Sequence, residues 1–106
     1  MEKPRLVMAM YKAKDGKKAE LDALINKHFP TLKEYGLVTD RNPFIGVSEN
    51  GTVLEVFEWI SESAAKKAHD HPAVAKIWEA MALVGTFETL GSLPEAKKPF
   101  PHFLQF

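Results

Sequence analysis

The sequence contains no cysteine, which removes thiol nucleophiles, disulfides and thiolate metal ligands, so its chemistry begins with four histidines: His28, His69, His71 and His102. Imidazole can take up and return a proton near neutral pH. His28 falls in line with Leu21, Leu24, Ile25 and Leu32, spaced by three and four residues as on one face of a helix. A neutral imidazole on that face could accept the proton of an acidic hydroxyl. The plainer role is a half-buried histidine hydrogen-bonded near Pro30. His69, Asp70 and His71 form the densest titratable cluster. Two histidines spaced by two diverge on a helix, unlike an i, i+4 zinc pair, so no metal site is expected. Helix capping and solvation explain the cluster most simply; a carboxylate-oriented imidazole at His69 or His71 is its chemical alternative. His102 stands in a proline-rich tail with little context.

Trp59 and Trp78 are read either as core packing or, with Phe87 and Leu32, as walls of an apolar pocket. Glu55 and Glu58 lie three apart in a strand-like stretch and so face opposite ways. One of them turns inward and needs a partner, which Arg41, Lys12 or Tyr11 could supply. Met8, Met10 and Met81 read as adaptable core filler. No glycine-rich phosphate loop and no Ser-His-Asp spacing occurs.

The elements that must position these side chains follow from periodicity. Leu6 to Tyr11 is a continuous apolar run of strand length. Asp15 is a candidate cap for the helix that carries His28, Pro30 should kink or restart that helix, and Gly36 should stop it. Phe44 to Val47 and Val53 to Ile60 read as a hairpin around Asn50-Gly51. Ser61 opens a second helix, His71-Pro72 interrupts it, and Val74, Ile77, Trp78 and Met81 form the stripe of its second half. Val84 to Leu90 reads as a final strand.

The order is β-α-β-β-α-β, an α+β chain on the ferredoxin-like plan, with a four-stranded antiparallel sheet and helices on one face. Residues 1–91 make the domain. Residues 92–106, with Pro94, Pro99, Pro101, Phe100, Phe103 and Phe106, make a tail that docks on the domain or on a partner subunit. The strand from Val53 to Ile60 carries large apolar groups on both faces. A sheet face left bare in this way implies a homodimer.

Composition excludes other classes. Fourteen basic and fourteen acidic residues among 106 balance to zero, without the basic excess of a nucleic-acid partner. No apolar run approaches the roughly 20 residues needed to cross a membrane. The start lacks a signal-peptide core, so a cytoplasmic location is the default expectation.

With these residues in place, the chain resembles the antibiotic-biosynthesis-monooxygenase-like superfamily of dimeric α/β barrels. The resemblance rests on Lys14-Asp15-Gly16-Lys17, on Glu55-Val56-Phe57-Glu58-Trp59 running into Ser61-Glu62-Ser63-Ala64-Ala65, and on Ala68-His69, His71-Pro72-Ala73 and Trp78. It spans about residues 5–90. It implies two four-stranded sheets closing into a barrel across a two-fold axis, with an apolar pocket between each sheet and its helices. It also implies a cofactor-independent monooxygenase acting on a phenolic or quinol-type molecule, with no cofactor and a small aromatic ligand as partner. A non-enzymatic stress-responsive or ligand-binding dimer is the alternative, and an isomerase or cyclase a weaker third. The haem-degrading branch requires an Asn on the first strand, and a Trp and a His on helix two. The first strand has no Asn, and the other two positions hold Ala68 and Trp78, so haem degradation is disfavoured.

Overall fold

The computed structural model describes residues 2–106; Met1, at the head of the start read above, lies outside them. The elements are β1 (Arg5–Ala13), α1 (Lys18–Glu34), β2 (Phe44–Val47), β3 (Val53–Trp59), α2 (Glu62–Asp70), α3 (Pro72–Val84), β4 (Gly85–Glu88) and β5 (Leu104–Gln105). They form an α+β chain with one antiparallel sheet in the order β4-β1-β3-β2-β5. The inner order β4-β1-β3-β2 is compatible with the ferredoxin-like plan.

The sheet has five strands where the sequence implied four. Leu104 and Gln105 pair with Val47 and Gly46 at the open edge of β2, so the tail folds back on its own chain. The three prolines hid this, because they leave room for only a two-residue strand. Two 3₁₀ turns, Leu90–Ser92 and Pro94–Lys97, lead into it. Between them Leu93 is buried against Met10 and Leu54, with Val56 and Phe103 packed alongside. The Glu95 carboxylate fastens this segment by accepting from Ser48 Oγ at 2.6 Å and from the Glu49 N–H at 2.9 Å. The Ser48 hydrogen bond, helped by that of Glu49, holds the Glu95 pKa below the usual carboxylate value against the opposing effect of burial.

Strand alternation divides the core. Val53, Glu55, Phe57 and Trp59 are buried toward the helices, with Ala9 and Tyr11 of β1 beside them. Phe29 and Leu32 of α1, Ala64 and Ala68 of α2, and Val74 of α3 complete one cluster. Leu21, Ile25 and Met81 complete the neighbouring one. The small Ala64 and Ala68 let α2 approach the sheet closely.

Local signals set most boundaries. Ser61 Oγ accepts from the Ala64 N–H and caps α2; His71 Nδ1 accepts from the Ala73 N–H and caps α3, with Pro72 in the first turn. Gly51 takes a positive φ of 86° in the hairpin, and the Asn50 side chain accepts from the Thr52 N–H. Two expectations change. Lys17, not Asp15, is the first boundary of α1, and no side chain caps it. Pro30 neither ends nor restarts α1, which runs through it to Glu34. Pro30 lies on the exposed side, where its ring has room, and Thr31 Oγ1 turns back to donate to the Lys27 carbonyl at 2.8 Å. No helix among the described residues is long and apolar enough to cross a membrane.

Candidate functional site

Beneath the helices, four polar side chains from four elements meet inside the apolar core. Tyr11 on β1, His28 on α1 and Glu55 on β3 are all at most 3% exposed, and Trp78 on α3 is half-buried. Glu55 Oε1 is the hub. It accepts from Tyr11 Oη at 2.8 Å and lies 2.8 Å from His28 Nδ1. On the far side of the imidazole, Trp78 Nε1–H donates to His28 Nε2 at 2.9 Å.

The protonation pattern follows from donor chemistry. An indole N–H can only donate, so Nε2 must present its lone pair. The ring proton therefore sits on Nδ1 and is donated to Glu55. Tyr11 Oη also approaches Nδ1, at 3.4 Å, but both groups donate to Oε1 and the contact is lateral. His28 is thus neutral, oriented by a carboxylate on one side and closed by an indole on the other.

Glu55 Oε2 is buried with no hydrogen-bond partner among the described residues. An orphaned buried acceptor costs about 1–3 kcal/mol, so this oxygen sets the site apart from an ordinary satisfied core network. Burial, followed by the negative charge of Glu55 and the hydrogen bond to it, raises the Tyr11 pKa far above its ordinary value. Tyr11 therefore stays a neutral donor while the folded chain persists.

That shift has a sign. Folding holds the Tyr11 proton, so its contribution is complete below the ordinary tyrosine value of about 10 and is lost as the unfolded chain ionises above it. Urea unfolding between about pH 9 and pH 11 should show stability falling by up to about 1.4 kcal/mol per pH unit from this one proton. The fall should be shallower in Tyr11→Phe by that amount. Parallel curves for the two proteins would mean that Tyr11 is not held in its neutral form.

The other residues singled out in the sequence are dispersed. His69 is exposed, with its ring edge-on to Trp78 at 5.0 Å. His71 caps α3 and lies 4.1 Å from the Tyr35 ring. His102 is exposed in the tail. Trp59 and Leu32 belong to the core cluster, with Trp59 edge-on to Phe57 at 5.1 Å. Phe87 is about half-exposed at the rim, edge-on to Tyr11 at 5.9 Å. Glu58 faces the other way and meets Arg41 at 3.3 Å and Thr39 at 2.9 Å. Among the described residues no group of three His, Asp or Glu side chains is placed to hold a metal ion.

None of Leu32, Trp59, Trp78 or Phe87 lines any of five cavities found among the described residues. The largest of those, about 670 Å³, opens on the opposite sheet face between Met8, Phe44, Leu54, Val56 and Phe103. No protein-family model, curated protein or solved structure matches the chain. The geometry of the Tyr11, His28, Glu55 and Trp78 set therefore carries the functional argument. Its Glu55 and Trp78 links to His28 join positions 27 and 50 residues apart, which no local motif displays.

Proposed function

We propose that His28 is a proton acceptor for a neutral aromatic hydroxyl compound, and that the chain acts as a cofactor-independent monooxygenase of the kind it resembles. The observation that carries this reading is the Nδ1–H bond to the buried Glu55 carboxylate. A carboxylate behind an imidazole fixes the tautomer, raises the basicity of the opposite nitrogen and stabilises the imidazolium formed on proton transfer. A phenol or quinol giving its proton to Nε2 becomes an electron-rich phenolate, the form that reacts with dioxygen. Tyr11 steadies Glu55, and Phe57, edge-on to His28 at 5.6 Å, supplies an aromatic wall. Dioxygen uptake dependent on a phenol or quinol, and lost in His28→Ala, is the test.

One observation favours a second reading. His28 and Glu55 are sealed from solvent, as in a network that only specifies the core of a non-enzymatic ligand-binding or stress-responsive dimer. Dioxygen uptake that is absent with every phenol tried, or unchanged in His28→Ala, selects this alternative.

Both readings include a homodimer. Met8, Val56 and Phe44 stand side by side across β1, β3 and β2 on the face away from the helices. There Phe44 is 81% and neighbouring Leu6 68% exposed, while the tail packs over Met10 and Leu54 with Val56 alongside. An apolar row of this kind is costly to leave in water. Light scattering at low micromolar concentration should return twice the chain mass, falling toward the monomer in Phe44→Glu. A wild-type monomer would remove the dimer from both readings.

A further inference from the structure

The buried imidazole is in contact with one half-buried side chain, the Trp78 indole, which donates to it at 2.9 Å. The Trp78 ring centroid lies 6.3 Å from that of the buried His28 and 5.0 Å from that of the exposed His69. The indole N–H occupies the one ring nitrogen that Glu55 leaves free. Trp78 is the half-buried member of the set, while Tyr11, His28 and Glu55 on β1, α1 and β3 are buried.

We propose that Trp78 is the gate of the His28 site. Its indole holds the imidazole as the Nδ1–H tautomer with Nε2 occupied, and a ligand reaches Nε2 only by replacing the indole with a donor group of its own. This rests on the reading of His28 as proton acceptor. The same geometry narrows the ligand class. Nε2 offers a lone pair, so the ligand must bring an O–H or N–H. The Glu55 charge and its unpaired Oε2 lie behind the ring and repel carboxylates and phosphates. The displaced indole is itself a planar aromatic donor, and its replacement must have that shape. After displacement the ligand O–H bond breaks, its proton forms the Nε2–H bond, and the imidazolium is paired with Glu55 while the ligand leaves as its anion. Trp78 is a positioning residue here, acting through His28.

Nitrogen-15 NMR of His28 in the full chain, titrated with 1-naphthol, tests the gate. In the wild type Nδ1 should be protonated and Nε2 bare, and naphthol should move Nε2 and the Trp78 indole N–H together. Trp78→Phe should keep the Nδ1 proton, shift Nε2, and lower the naphthol midpoint about five-fold, the effect of one hydrogen bond no longer broken. Ile77→Ala, which loosens the same helix at its packing against Leu21 and Ile25, should do neither. A protonated Nε2 in the wild type overturns the proposal. So does a naphthol response at Nε2 with the Trp78 N–H unmoved, equal responses from the two variants, or no response at Nε2 at all. The wild-type titration decides the matter even where Trp78→Phe fails to fold. Dioxygen uptake unaffected by His28→Ala removes the proton-acceptor reading and leaves the NMR result standing.

Discussion

Glu55→Ala is expected to cost about 3–5 kcal/mol of folding stability, the loss seen when one partner of a buried polar pair is removed. Among the described residues Glu55 Oε1 is the only acceptor for Tyr11 Oη and for the His28 Nδ1–H, apart from the lateral contact between those two donors. Its loss strands two buried donors, at about 1–3 kcal/mol each, and leaves a cavity. Removal of a charge with one orphaned oxygen offsets part of this. A domain with about 5–15 kcal/mol in total would be left marginal, and the urea midpoint should fall steeply. A companion variant separates the network from mere volume. With Tyr11→Phe and His28→Leu already present, Glu55→Leu should cost little, because no donor is then left unpaired. A Glu55→Ala cost below about 1 kcal/mol would contradict a buried hub with two donors.

This hub also shows what a single sequence can and cannot reveal. Alternation in β3 implies that Glu55 or Glu58 turns inward, with Tyr11 among its candidate partners. That inference works because side chains in a strand switch faces at every residue. The helix stripe likewise placed His28 in the core, since three-and-four spacing is a local property of the backbone. Neither pattern says which inward groups meet. The register of Ala9 opposite Glu55 and of Tyr11 opposite Val53 aligns β1 with β3, and only the packing of α1 and α3 on that sheet brings His28 and Trp78 to it. Trp78 therefore read as a wall or as core rather than as a hydrogen-bond donor to an imidazole. The tail was the least legible segment for a related reason. Its one buried carboxylate, Glu95, acquires meaning from Ser48 and Glu49, more than 40 residues earlier in the chain. Pro30 misled in the opposite sense, because a proline on an exposed helix face can be absorbed by the neighbouring turn.

His28→Ala should lower turnover of a phenolic substrate by about 10²–10⁴-fold, the range for removing a positioned general base. The prediction is sharpened by what the other histidines do in the fold. His69 is exposed and meets Trp78 edge-on rather than His28, and His69→Ala should leave turnover within about three-fold, less than the loss of one hydrogen bond. His71→Ala removes the side-chain cap of α3 and should cost about 1 kcal/mol of stability with turnover retained at temperatures where the chain stays folded. Glu55→Gln keeps an acceptor toward Nδ1 but loses the charge that stabilises the imidazolium, so its loss should fall between those of His69→Ala and His28→Ala. It should also steepen the dependence of rate on substrate acidity, because a weaker base favours more acidic phenols. This ordering, His69 and His71 above Glu55 above His28, is specific to proton transfer through Nε2. If instead the four variants lose dioxygen uptake in proportion to their lost stability, the network serves folding alone, and the protein is the non-enzymatic dimer of the second reading.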